Sequence, residues 1–460
     1  MAGVAPKLPA PVDPESVFKA YDIRGRTDTG ELDAELYRRV GVALVSLLTC
    51  ERVAVGRDCR ESSMGFSDAL AAGVNQAGAD VIDLGLVPTD AVYYYSGAEE
   101  VPGAMITASH NPAGYNGLKL CRPGAAPIGV ESGLAEIKEL VVNWSEPPPE
   151  TAQTGSIRSV DIVDDYVDHL FRIVPAEAIG PLRVAVDGGN GMAGMAIHQV
   201  MDRIPVTMRG LYLEPDGSFP NHPADPLVPE NLQDLETLMR TEGFDLGVAF
   251  DGDADRAVFL DDSAASIPGS TITSLVARRL LAEAPGSAVV HNLITSKAVP
   301  EIVVEAGGTP VRTRVGHSYI KQVMAETDAI FGGEHSGHYY FRANFRADSG
   351  MLAMLYLLQV MTEDHRPLSA IRADVERYAA SGEINFTVAD ADAVIDRVEQ
   401  SFPDAGIDRL DGLTVDMGIG WFNLRPSNTE PLLRLNAEAE DEKAVAALVA
   451  RVTDIVENRT

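Results

Sequence analysis

Short apolar runs closed by polar turns alternate with helical spacing along most of this chain. Residues 52–56, 79–84 and 104–107 read as strands, and residues 67–79 carry helical spacing between the first two. The same order returns with a helix at 161–172, a strand at 182–186, and helices from about 193 and up to about 241. Buried-strand patterns follow at 246–250 and 257–260. A third stretch gives a helix at 271–283, a strand at 287–290, a helix at 295–306 and a strand at 311–315. Residues 349–361 are apolar on every side, as in a buried helix. The last ninety or so residues change character, with a strand at 383–388, a helix at 391–402, a hairpin from 413–417 and 420–424, and a closing helix at 441–457. In that helix Val445, Leu448, Val449, Val452, Ile455 and Val456 keep one face apolar.

Alternating strands and helices predict layered α/β domains. The Pro-rich stretch at 146–150 and the polar stretch at 363–367 read as boundaries. The expected division is 1–150, 151–256, 257–367 and 368–460: three α/β units of similar strand–loop–helix pattern with mixed sheets, then a small α+β domain. A chain of 460 residues suits three or four domains at roughly 100–200 residues each.

Composition narrows the function. The formal net charge of −31 argues against nucleic acid and against an anionic membrane, since both require a basic face. No apolar run reaches the ~18 residues of a membrane span, and the N-terminal stretch lacks a signal-peptide apolar core. Three cysteines, Cys50, Cys59 and Cys121, have no metal-ligand spacing and fit free thiols. A cytoplasmic protein is expected.

Four stretches carry candidate chemistry. The first is Thr107-Ala-Ser-His-Asn-Pro112, at the end of a strand. Pro112 biases Asn111 away from helix, so Ser109 is presented on a tight loop beside His110, with Lys119 ten residues on. A hydroxyl needs a proton carrier to act as nucleophile or phosphate carrier, and His110 and Lys119 are both candidates. The plain alternative is a turn that bonds its own backbone. The second stretch, Asp251-Gly-Asp-Ala-Asp-Arg256, sets three carboxylates at alternate positions after a buried strand. Mutual repulsion is most simply relieved by a divalent cation, and oxygen ligands suit Mg²⁺. An EF-hand is excluded, because Arg256 stands where its loop needs Gly and Asp262 where it needs Glu; a solvated acidic turn is the alternative.

The third stretch is Gly333-Glu-His-Ser-Gly-His338. On an extended loop Glu334, Ser336 and His338 would point the same way and suit ring hydroxyls of a sugar. Zinc at His335 and His338 is disfavoured by a Gly-rich loop without Cys. The fourth, Arg425-Pro-Ser-Asn-Thr429, offers a guanidinium, two hydroxyls and an amide around one turn, a compact phosphate cradle or a plain turn.

In this order, the four stretches resemble the α-D-phosphohexomutase family over essentially the whole chain, and within it the phosphomannomutase/phosphoglucomutase branch. The resemblance implies four domains around a central cleft. It implies that Ser109 carries a phosphoryl group and that Mg²⁺ is held by Asp251, Asp253, Asp255 and a phosphoserine oxygen. Mannose 6-phosphate and mannose 1-phosphate, with the glucose pair as further substrates, would interconvert through a hexose 1,6-bisphosphate. Lys119 and His338 are then the candidates for proton transfer, His110 supports the phosphoserine, and Arg24 and Arg256 stabilise phosphoryl charge. Tyr21, His317, Glu334 and Ser336 would contact the substrate, whose other phosphate lies on Arg425, Ser427, Asn428 and Thr429. Ile294 stands where relatives often place Lys or Arg, so that contact is either missing or supplied by Lys297. Phosphoglucosamine mutase, a phosphatase acting through phosphoserine and a non-catalytic sugar-phosphate binding protein are the competing readings. The expected partners are small hexose phosphates, with neither nucleic acid nor membrane, and the protein is a monomer or a dimer.

Overall fold

The computed structural model describes residues 14–144, 155–426 and 432–458. The expected linker at 146–150 and the candidates Ser427, Asn428 and Thr429 lie outside these residues. The chain forms two compact units, residues 1–266 with 340–362, and 267–339 with 363–460.

The first unit is built on two sheets. In the first, the strand order is Ile23–Arg26, Tyr115–Arg122, Gly103–Ile106, Arg52–Arg57, Asp80–Leu86 and Ile157–Ser159. The central strands pair in parallel, while Tyr115–Arg122 runs antiparallel to both of its neighbours, so the sheet is mixed as expected. Helices Ala34–Leu48, Ser63–Gln76, Thr89–Glu99 and Leu134–Val142 accompany it. Asp33 caps the first of these by accepting from Leu36 N at 2.7 Å, and Leu36, Val40 and Leu44 bury its inner face.

The second sheet runs Ala257–Leu260, Leu246–Phe250, Leu182–Asp187 and Val206–Leu211. Leu246–Phe250 is parallel to Leu182–Asp187 and antiparallel to Ala257–Leu260, with Phe250 opposite Ala257. Residues 251–256 are therefore the connection of a hairpin. The boundary expected after Arg256 falls at the foot of its second strand, and Ala257–Leu260 belongs to the second sheet, not to the third. The helix expected from about residue 193 resolves into a 3-10 turn, Met192–Met195, and a short helix, Ile197–Met201, in keeping with the low helix propensity of the Gly191 and Gly194 neighbourhood. The apolar helix is present as Gly350–Asp364, buried without interruption from Gly350 to Met361.

In the second unit, Ala288–Asn292 lies between Thr309–Thr313 and Phe331–Gly333, all parallel. His317 opens the helix His317–Thr327 and does not continue the strand end expected there. The C-terminal domain is an antiparallel sheet in the order Ala379–Phe386, Leu433–Ala439, Gly420–Pro426, Leu413–Asp416 and Gly406–Asp408, packed with helices Ala391–Gln400 and Glu442–Val456. The expected hairpin is present, with Leu413 opposite Leu424 and Asp416 opposite Trp421. Leu433–Ala439 and Gly406–Asp408 were not expected. The first alternates apolar and polar residues, with Leu433, Leu435 and Ala437 facing the core. Among the described residues no helix is long and apolar enough to cross a membrane.

Candidate active site

The site in the first unit grows from two hairpin loops. The buried strand Gly103–Ile106 ends at Thr107, and the chain returns in Tyr115–Arg122. Between them Ser109 adopts a left-handed backbone, φ 50°, with its N–H donating to Thr107 Oγ1 at 2.9 Å. Turns close the loop through Asn111 N to Ala108 O at 3.0 Å and Tyr115 N to Pro112 O at 3.0 Å. Ser109 Oγ donates to Asp251 Oδ2 at 2.7 Å and accepts from Arg256 Nη2 at 3.1 Å. His110 Nδ1 lies further off, at 3.4 Å. The charge of Arg256, then burial, then Arg24 hold the His110 imidazole well below its usual pKa. The imidazole is therefore neutral.

The other loop supplies Asp251, Asp253 and Asp255, all buried, with one oxygen of each within 4.8 Å of the others. Lys119 Nζ donates to Asp253 Oδ2 at 2.7 Å and Asp255 Oδ2 at 2.5 Å. Arg256 folds back on its own loop, Nε to Asp251 Oδ2 at 2.9 Å. Thr89 adds a hydroxyl to Asp253 Oδ2 at 2.6 Å. Burial pushes Asp251 and Asp255 above the usual carboxylate range. Burial acts on Asp253 in the same sense but is outweighed by the Lys119 ammonium, which holds that carboxyl well below the usual range. Burial likewise opposes the charge on Lys119, yet Asp253 and Asp255 keep it charged. Asp253 Oδ1 is buried and has no hydrogen-bond partner. An orphaned carboxylate oxygen beside two further carboxylates fits a hard divalent cation bound through oxygen.

The two loops touch. A Cβ on Gly252 would lie 2.5 Å from Ser109 O, closer than any side chain can approach, so residue 252 must be glycine for the carboxylates to reach the serine. Arg24, on the edge strand Ile23–Arg26, donates to Asn111 Oδ1 at 2.7 Å and pairs with Asp22 at 2.5 Å. Tyr21 is half-buried just ahead of that strand.

Two residues escaped the sequence reading. Thr89 follows Pro88 at the start of a helix, a position with no catalytic signature. Arg60 is more unusual. Its buried guanidinium donates to four backbone carbonyls of the serine loop: Ser109 O at 2.8 Å, Asn111 O at 2.6 Å, Pro112 O at 2.7 Å and Tyr115 O at 3.1 Å. The only forward signal was an Arg two residues after Asp58 in a strand-end turn.

In the second unit Glu334, Ser336 and His338 do converge, but through a turn and not along an extended loop. Glu334 N donates to His338 O at 3.0 Å, which folds the segment back. Ser336 Oγ donates to Glu334 Oε2 at 2.8 Å and lies 3.2 Å from His338 Nδ1. His335 faces Asn292 instead, its Nδ1 accepting from Nδ2 at 3.1 Å. Burial, then Arg425 and Arg434, push its pKa down to about 3, so it is neutral. Arg425 is buried, with Nη2 3.6 Å from Glu383 Oε2. Ile294 packs with Leu293 and Trp421, and Lys297 Nζ donates to Asp416 Oδ1 at 2.8 Å. Nothing is described for the His317 side chain.

Known proteins resemble this chain in sequence and fold. Models of the three α/β/α domains of phosphoglucomutase/phosphomannomutase match residues 15–147, 164–264 and 268–378, and the model of its C-terminal domain matches 383–455. A protein named "Phosphohexose mutases" from Xanthomonas campestris pv. campestris is 40% identical over 432 residues, covering 93% of this chain and 96% of its own. A phosphomannomutase of Escherichia coli K12 is 38% identical over 434 residues, 92% of this chain and 95% of its own. The crystal structure of a phosphoglucomutase/phosphomannomutase family protein from Burkholderia thailandensis superposes with a TM-score of 0.87 at 30% identity, covering 96% of this chain and 98% of that one. Four domain models matched in order, with close relatives over more than nine-tenths of the sequence, establish that this chain belongs to the phosphoglucomutase/phosphomannomutase family and is a phosphohexose mutase.

Proposed function

We propose that this enzyme interconverts mannose 6-phosphate and mannose 1-phosphate, and the corresponding glucose phosphates, by way of a phosphoserine at Ser109 and a hexose 1,6-bisphosphate. The observation that carries the reading is the placement of Ser109 Oγ, 2.7 Å from Asp251 Oδ2 and 3.1 Å from Arg256 Nη2, at the edge of a buried carboxylate cluster. The mannose preference is drawn from the relatives named phosphomannomutase.

In this reading the phosphorylated enzyme meets a hexose monophosphate. The sugar's free hydroxyl oxygen forms a bond to phosphorus as the bond to Ser109 Oγ breaks. The hydroxyl proton leaves to a protein group, and Ser109 Oγ regains a proton. The bisphosphate then returns its other phosphoryl group to Ser109, releasing the isomer. Arg256 and Arg24 offset phosphoryl charge, and proton traffic falls to Lys119 and His338. His110, neutral, packs beside the serine. Mg²⁺ bound by Asp251, Asp253 and Asp255 would neutralise charge on the transferring group. Glu334 and Ser336 would hold ring hydroxyls. Arg425, with Ser427, Asn428 and Thr429, would take the phosphate that does not react; Tyr21 and His317 complete the contacts. The enzyme would work on hexose phosphates in the cytoplasm.

The test is intact mass and turnover together. The purified protein should carry one added phosphate that is absent from Ser109→Ala, and Ser109→Ala should show no isomerisation. Mannose, glucose and glucosamine phosphates should be compared as substrates. Turnover of glucosamine phosphate alone would overturn the sugar assignment, and full activity in Ser109→Ala would overturn the mechanism.

A further inference from the structure

Arg60 lies in the turn after the strand Arg52–Arg57 and has no exposed side-chain surface. A guanidinium offers five N–H donors in a fixed fork. Here all five are used. Nε donates to Asp58 Oδ2 at 3.0 Å, Nη1 to Pro112 O and Tyr115 O, and Nη2 to Ser109 O and Asn111 O. None goes to the metal-loop carboxylates, to Ser109 Oγ or to any group that would face a substrate.

Apart from Arg60, the loop is held by its own two turns, by Arg24 on Asn111 and by Thr27, whose N–H donates to Gly114 O at 2.9 Å. Residues 110–115 are half-buried or exposed, and the small Ala108 is the loop's buried apolar side chain. Its carbonyls turn inward where no strand is present to receive them, and a buried carbonyl without a donor is costly. Asp58 fixes the clamp to the sheet, because its N–H donates to Ile106 O at 2.9 Å and its Oδ1 accepts from Arg60 N at 3.1 Å. The same turn also grips the far end of the loop, where Asn116 Nδ2 donates to Ser62 Oγ at 2.7 Å and Ser63 Oγ at 3.0 Å. One face of the guanidinium is covered by the Phe219 ring, 5.0 Å to its centroid, from a loop of the neighbouring α/β domain in the same unit. That loop comes close enough for a Cβ on Gly217 to lie 2.4 Å from Cys59 O, so glycine is required there too.

We propose that Arg60 is a positioning residue for the mutase reaction: by drawing four carbonyls of the serine loop onto one planar cation, it holds Ser109 in its left-handed conformation and sets Oγ against Asp251. The proposal rests on the phosphoserine reading above. Its effect is on the geometry of transfer, since Arg60 touches neither sugar nor phosphate. A misplacement of about 1 Å costs on the order of 100-fold in rate.

The experiment uses the full-length enzyme and Arg60→Lys, which keeps the charge but loses the fork. The expected result is a fall in kcat of roughly 100-fold with KM for the hexose phosphate within about threefold of wild type. Phosphoryl uptake at Ser109 from glucose 1,6-bisphosphate, followed by intact mass, should slow in parallel. Counting only protein that can take up phosphate separates this from simple loss of folded material. A kcat within about twofold of wild type for the folded variant, or a change in KM alone, overturns the proposal. If Arg60→Lys does not fold, Phe219→Leu uncovers one face of the guanidinium to water, which competes with the carbonyls and loosens the clamp. It should lower kcat about threefold to tenfold at unchanged KM, following the weakened cation–π contact, and an unchanged kcat overturns the proposal. Wild-type protein that neither isomerises hexose phosphates nor carries phosphoserine would instead remove the mechanism on which the proposal rests.

Discussion

Lys119, on a strand of the first sheet, donates to Asp255, on the hairpin loop of the second, at 2.5 Å. With Asp253 at 2.7 Å, this ammonium is the chief internal compensation for two carboxylates that are almost wholly buried. Removing one partner of a buried ion pair costs about 3–5 kcal/mol, because the other charge is left without relief. Lys119→Met should therefore lose about that much stability in urea unfolding when divalent cations are chelated. Added Mg²⁺ should recover much of the loss, because it supplies the missing positive charge. An equal loss with and without the cation would show that the carboxylates do not bind it.

Chelation should also abolish isomerisation, and Mg²⁺ should restore it. Asp253 is the sharpest place to test the ligand set, since its Oδ1 has no protein partner. Asp253→Asn should lower kcat by at least about 100-fold and weaken the response to Mg²⁺, measured as the cation concentration giving half-maximal rate. A variant with the wild-type cation response would place the metal elsewhere.

Asp90 gives a pH-dependent prediction. Burial raises its pKa to about 7, against bonds from Ser349 at 2.6 Å and Tyr166 at 2.5 Å that favour the charged form. The folded state thus holds a proton that the unfolded chain, with an ordinary pKa near ~3.9, has already lost. Stability is therefore full below about pH 4 in this respect and falls as pH rises to about 7, by roughly 4 kcal/mol at most. Asp90→Asn removes the slope. The variant should be more stable than wild type at pH 8 and gain nothing at pH 4 in urea midpoints; a difference independent of pH would refute the assignment.

Lys297 bears on substrate recognition. Its ammonium is engaged by Asp416 at 2.8 Å and its N–H by Glu438 Oε1 at 2.9 Å, while Ile294 is packed against Trp421. Lys297→Met should leave KM for hexose phosphates within about twofold. A KM raised tenfold or more would mark Lys297 as a phosphate contact.

The chemistry was legible where residue type and chemical role coincide. Three carboxylates at alternate positions after an apolar strand do form one buried cluster, and the Ser-His-Asn-Pro loop does bring the Ser109 hydroxyl to it. Glu334, Ser336 and His338 were grouped correctly for the wrong geometric reason, since a turn and not an extended backbone brings them together. Arg60 and Thr89 were missed because their roles lie in what they bond, backbone carbonyls in one case and a buried carboxylate in the other, and neither bond has a local pattern. The boundary after Arg256 failed for a related reason: an antiparallel return is fixed by its partner strand, which no run of residues in isolation reveals. Leu433–Ala439 was readable from its alternation, and its omission is a failure of reading, not of signal.

The contact between Gly252 and Ser109 has an evolutionary consequence. A side chain at residue 252 cannot be admitted unless the backbone carrying the serine retreats, and that retreat separates the hydroxyl from Asp251. The two loops, well over a hundred positions apart in sequence, are therefore inherited as one part. A chimera that draws its phosphoserine loop from one ancestor and its carboxylate loop from another should work only when both donors agree on this backbone spacing.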